Sequence, residues 1–87
     1  MHPAWPNPTA GRAHMGFDVP RDAEVELAVF DIQGRQVTVL ARGPHLPGRY
    51  QLVWDGRIEG GQAASGLYFV RFQAPGRAFV RRLVLLR

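Results

Sequence analysis

Asp55, Glu59 and Ser65 lie in one glycine-rich stretch, WDGRIEGGQAASGLYFVRF, running from Trp54 to Phe72. Two carboxylates four residues apart could lend oxygen ligands to calcium, a serine could act as a nucleophile, and spaced glycines could cradle a phosphate. Each chemistry needs more than the stretch supplies. A nucleophilic serine needs a base within hydrogen-bond reach and an oxyanion hole; ASG lacks a strand-turn-helix setting, and His2, His14 and His45 belong to unrelated segments. A phosphate loop calls for G-K-[ST] and a following helix, both missing here. Calcium wants a denser set of oxygens than Asp55 and Glu59, and the histidine spacing fits no compact zinc motif. The same residues suit chain reversal better. Asp55 and Gly56 form a turn pair after a strand, Gly60 and Gly61 permit a second reversal, and Gly66 is expected to admit the chain to the next strand against close backbone. No catalytic, cofactor-binding or metal-binding residue is therefore expected.

The elements that would position these turns repeat with period two. In HMGFDV the apolar Met15, Phe17 and Val19 alternate with His14, Gly16 and Asp18, and Pro20 ends the run. EVELAVFD places Val25, Leu27 and Val29 on one face and Glu24 and Glu26 on the other, as a half-buried strand requires. DIQGRQV reads as a tight turn, with Asp31 at its first position and Gly34 supplying a positive φ. RQVTVL follows as a strand. RGPHLPG, dense in proline and glycine, is expected as a loop. RYQLVW then aligns Tyr50, Leu52 and Trp54, with Trp54 as a core anchor. LYFVRFQA, APG and RAFVRRLVLL form a closing hairpin.

Six or seven short strands with Gly/Pro turns, and no convincing amphipathic helix, predict an all-β, immunoglobulin-like antiparallel β-sandwich of about seven short strands. Residues 12–87 make up this sandwich. Residues 1–11, with three prolines, are expected as an extended lead-in from an upstream domain, and they lack the basic and apolar regions of a secretory signal. Trp5 within it suits either the sandwich surface or a domain interface.

A chain of 87 residues with no cysteine draws its stability from packing rather than from disulfides. No apolar run approaches a membrane span. All 11 basic residues are arginine, and net charge is +4. The charge is polarised: every acid lies at or before Glu59, while residues 60–87 hold five arginines and no acid. Such a basic end invites nucleic acid as a partner, but the arginines alternate with core residues, and no stacking surface or groove-reading helix accompanies them.

The last strand breaks the alternation, because arginines occur at both parities. A bulge at Arg81 or Arg82 is expected to switch register, turning Val80 inward before it and Leu83 and Leu85 inward after it. Val84 and Leu86 would then face outward beside basic residues, an apolar surface that invites a partner.

In order and spacing, PNPTAG, VELAVFDIQGRQV, LPGRYQLVWDGRIEGGQAASGLYFVRF and RRLVLLR together resemble the C-terminal sorting domains of the bacterial type IX secretion system. They equally resemble the related immunoglobulin-like domain of flagellar hook-capping proteins. The resemblance implies a non-catalytic sandwich in an exported protein, directed through the periplasm to the cell surface or the exterior. There the secretion machinery reads the domain, and the product is released or attached to anionic lipopolysaccharide. The family's basic-apolar ending maps onto Arg82, Leu83, Val84, Leu85, Leu86 and Arg87, with Arg82 where lysine is usual. With Arg81 these are the candidate partner-docking residues for a carrier protein. The alternative is self-association into a filament or cap through the same strand.

Overall fold

A computed structural model describes all 87 residues, and the chain forms strands and turns without a helix. The strands are β1 (Ala13–Val19), β2 (Ala23–Phe30), β3 (Gln36–His45), β4 (Gly48–Trp54), β5 (Arg57–Ile58), β6 (Gly61–Gln62), β7 (Gly66–Ala74) and β8 (Arg77–Leu85). One sheet has the order β3-β2-β7-β8; β1 and β4 pair as the opposing layer, and β5 and β6 make a small hairpin. All pairings are antiparallel.

Alternation places the core between the layers. Met15, Phe17 and Val19 of β1 and Trp54 of β4 meet Val25, Leu27 and Val29 of β2, Val70 and Phe72 of β7, and Leu83 and Leu85 of β8. Phe17 stacks on Phe72 and Tyr50, with ring centroids 4.7 and 5.3 Å away. Fully burying side chains of this size contributes about 1.5–3 kcal/mol each before conformational entropy is set against it. Tyr68, near the start of β7, donates its hydroxyl to the Ala64 carbonyl four residues upstream at 2.7 Å, the corner seen in immunoglobulin-type sandwiches. Trp54 is buried and donates Nε1–H to the Arg57 carbonyl at 2.8 Å. The architecture is thus the expected all-β, immunoglobulin-like sandwich.

Residues 1–11 lie along the sandwich with bends at residues 6–8 and 10–11, and Ala4 and Thr9 are buried. Trp5 pairs antiparallel with His14 on the outer edge of β1, and Thr9 bridges in parallel to Leu85 on β8. The segment therefore crosses from one sheet to the other and covers an edge of each. Trp5 itself is 62% exposed and stacks on His14 at 4.4 Å.

Three expectations need correction. β8 pairs with β7 without a break from Arg77 to Leu85, so no bulge occurs at Arg81 or Arg82. Val80 consequently points outward and is 52% exposed. Arg81 keeps the inward parity of Phe79 and Leu83 yet stays exposed, donating to the Met1 carbonyl at 3.1 Å. This parity is tolerated because β8 is the edge strand of its sheet, so the arginine head leaves the space between the layers sideways and reaches the Met1 carbonyl. Secondly, RGPH is strand rather than loop, since β3 continues to His45 opposite Ala23. It is an edge strand, where Pro44 can sit with its nitrogen turned away from the ladder. Thirdly, a Cβ on Gly66 would meet no atom within 4 Å, so close backbone is not why glycine stands there.

Candidate docking face

The glycine-rich stretch builds a seat for the chain's last residue. Asp55 Oδ1 accepts the Arg57 amide at 3.0 Å, closing the turn after β4. Gly56 follows at φ 82°, and a Cβ there would collide with the Arg87 guanidinium. Arg87 donates Nε–H to the Ala63 carbonyl at 2.9 Å, Nη2–H to the Gly56 carbonyl at 3.3 Å and its amide to Ser65 Oγ at 2.8 Å. Ser65 is an acceptor in this seat. The histidines are engaged elsewhere: His2 near Asp18 at 3.3 Å, His14 under Trp5, and His45 against the Gly43 carbonyl at 3.0 Å. No group of three metal-ligating side chains forms around Asp55 and Glu59.

At the other predicted turn, the Gly34 amide donates to the Asp31 carbonyl at 3.0 Å, with Gly34 at φ 82°. Asp31 Oδ1 accepts the amides of Gln33 and Arg35 at 2.9 and 3.0 Å. These donors, the Arg35 amide first, hold the Asp31 carboxyl below the usual carboxylate range.

The seven residues expected to dock a partner divide into three groups. Leu83 and Leu85 are wholly buried and belong to the core. Arg81 and Arg87 are bonded to Met1 and to the glycine-rich loop. Arg82, Val84 and Leu86 remain on the outer face of the four-stranded sheet, joined there by Val80. Val84 is half-buried and Leu86 is 55% exposed. Sequence reasoning missed Phe30, Leu67 and Phe69, all half-buried on this face. They share the parity of Arg71, whose guanidinium lies 4.5 Å from the Phe30 ring centroid and 3.7 Å from Glu26. Part of their signal was present in β7, where the odd positions Leu67 and Phe69 are apolar before Arg71 and Gln73.

Arg82 stands directly opposite Phe69. Its guanidinium has no hydrogen-bond or ion-pair partner, unlike those of Arg35, Arg42, Arg49, Arg57 and Arg71. The face is thus an apolar patch around one uncompensated positive charge. Its edge is occupied: Asn7 Nδ2 donates to the Arg82 carbonyl at 3.0 Å, and Asn7 Oδ1 accepts the Val84 amide at 2.9 Å. Thr9 donates to the Val84 carbonyl and accepts from Leu86. A partner can meet this face without adding a strand to β8 between Arg82 and Leu86.

The domain is similar to known structures. It aligns with dimeric latent PorU from Porphyromonas gingivalis at a TM-score of 0.68 and 20% identity, covering 95% of this chain and 9% of that one. It also aligns with FlgD from P. aeruginosa at a TM-score of 0.61 and 20% identity, covering 84% of this chain and 60% of that one. At this identity the likenesses establish the fold, and the chain spans only part of each protein. No curated protein matches the sequence. The family described as FlgD Ig-like domain matches residues 4–77, from the first buried residue of the lead-in to the start of β8. The chain belongs to the FlgD Ig-like domain family.

Proposed function

We propose that this domain is a non-catalytic sorting and surface-attachment module of an exported bacterial protein, read by the type IX secretion machinery. The observation that carries the reading is the outer face of the β7–β8 hairpin, where Val80, Val84 and Leu86 surround the unpartnered Arg82. An apolar patch with one central cation suits a carrier that presents apolar side chains and a carboxylate. The likeness to PorU over nearly the whole domain supports the same reading. In this reading the product passes through the periplasm and ends outside the cell or on its surface, where anionic lipopolysaccharide is a candidate anchor.

The test fuses a periplasmically targeted reporter upstream of residues 1–87 in a type IX-competent bacterium. Delivery of the fusion to the surface or medium, with the untagged reporter retained, is the expected result; equal retention of both overturns the reading. Deleting Arg82–Arg87 is a poor test, because it also removes Leu83 and Leu85 from the core.

The family match favours a second reading, a structural module that assembles into a cap or filament. Open-ended growth needs a head-to-tail contact between two different patches. Light scattering tests the second reading: mass that rises without limit with concentration supports a filament, a fixed mass larger than a dimer supports a cap, and a mass no larger than a dimer overturns it.

A further inference from the structure

Both sheets have one covered edge and one open edge. Residues 2–9 cover the outer edge of β1 and part of that of β8. The open edges are β3 and β4, and β3 carries the stronger backbone devices against strand addition. It contains Pro44, Gly43 at φ 120° and two register irregularities against β2, and the Glu59 amide donates to its Val37 carbonyl at 3.2 Å. β4 has no proline, no bulge and an unbroken register with β1. Because His14 and Gly16 turn their backbone groups toward the lead-in, alternation directs the even residues of β4 at β1. The amides and carbonyls of Arg49, Gln51 and Val53 therefore point away from the sheet, and no bond to them forms within the chain.

We propose that β4 pairs with β4 of a second copy of this chain, antiparallel, about a two-fold axis at Gln51. The sequence of the strand is self-complementary in that register. Gln51 faces its own copy, and Arg49 faces Val53 of the copy. The three pairs exchange about six main-chain hydrogen bonds. Arg49, whose side chain is 90% exposed and 3.7 Å from Asp18, comes diagonal to the second copy's Asp55 on the same face, within reach of a long side chain. On the inner face Tyr50 falls opposite Leu52 of the copy. Both are half-buried although they point into the sandwich, since they sit at its open side. Val53, 48% exposed, also gains cover. Placing the two-fold axis at Arg49 or at Val53 would oppose that residue to itself, whereas the axis at Gln51 sets Arg49 against Val53 and within diagonal reach of Asp55 of the copy. The result is a closed dimer with a continuous β1-β4-β4-β1 layer, distinct from open-ended assembly and independent of the face around Arg82.

The chain has no cysteine, so single-cysteine scanning reads the register directly. Residues directly opposite in a hydrogen-bonded pair lie about 5.5 Å apart at Cα, within disulfide range. Gln51→Cys should cross-link to a dimer under mild oxidation on the order of tenfold faster than Arg49→Cys or Val53→Cys, through the high effective concentration of an aligned pair. Sedimentation of the unmodified domain should show a monomer–dimer equilibrium. Arg49→Asp should weaken it, and Arg49→Asp with Asp55→Arg should restore it. Equal cross-linking at all three positions overturns the proposal, as does a strictly monomeric wild-type domain at its highest soluble concentration. Neither outcome bears on export, which the reporter assay reads separately.

Discussion

Gly56 meets two demands at once, a left-handed backbone and room for the Arg87 guanidinium. Gly56→Ala should therefore destabilise the domain by roughly 1–2 kcal/mol from the backbone alone, and more from the collision. Urea unfolding of Gly56→Ala, with and without Arg87→Ala, checks this: the second change should relieve the collision and leave the backbone cost. Asp31 makes a pH-dependent contribution. Its carboxyl titrates below the ordinary carboxylate range in the folded state, so the stability it adds is full above that range and is lost as pH falls through the folded value. Asp31→Asn should lower the urea midpoint at neutral pH and bring it closer to wild type in acid. The Asp31 turn was legible in the sequence because its partners lie within four residues. The seat of Arg87 was not, because Gly56 and Ala63 are 31 and 24 positions away and nothing local marks them.

Among the elements, period-two alternation was enough to find β1, β2, β4 and β7, each of which buries one face more than the other. It misread β8 for a physical reason. A clean inner face requires a strand enclosed on both sides, and β8 is an edge strand, so Arg81 occupies an inward position without a bulge while its head reaches past the edge to the Met1 carbonyl. The continuation of β3 through Pro44 was hidden because proline ends a central strand but not an edge strand. The lead-in is the element whose role depends most on tertiary contacts. Asn7 places its side-chain amide where a neighbouring strand's peptide would lie, bonding the Arg82 carbonyl and the Val84 amide. Asn7→Ala should cost about 1–2 kcal/mol in urea unfolding, as two bonds to the β8 edge are lost. Removal of residues 1–9 should cost on the order of 3 kcal/mol or more and raise light scattering on storage, since it bares an edge of both sheets. If residues 10–87 were as stable and as soluble as the whole domain, the edge-covering role of the lead-in would be refuted.

At the scale of the whole molecule, the polarised charge and the doubly apolar hairpin have a common consequence. The C-terminal third contributes core through Leu83 and Leu85 and offers its other face, around Arg82, to the exterior. Sequence reasoning reached the fold and the outward Val84 and Leu86, but could not separate docking residues from core within RRLVLLR, because that division depends on unbroken register with β7. The most direct test changes only the outer face. In the reporter fusion, Arg82→Glu with Leu86→Asp reverses the central charge and places a carboxylate on the apolar patch. With the unfolding midpoint matching wild type, delivery is predicted to fall at least about tenfold, as expected when central contact residues are lost. Delivery at the wild-type level from that folded variant would contradict the account.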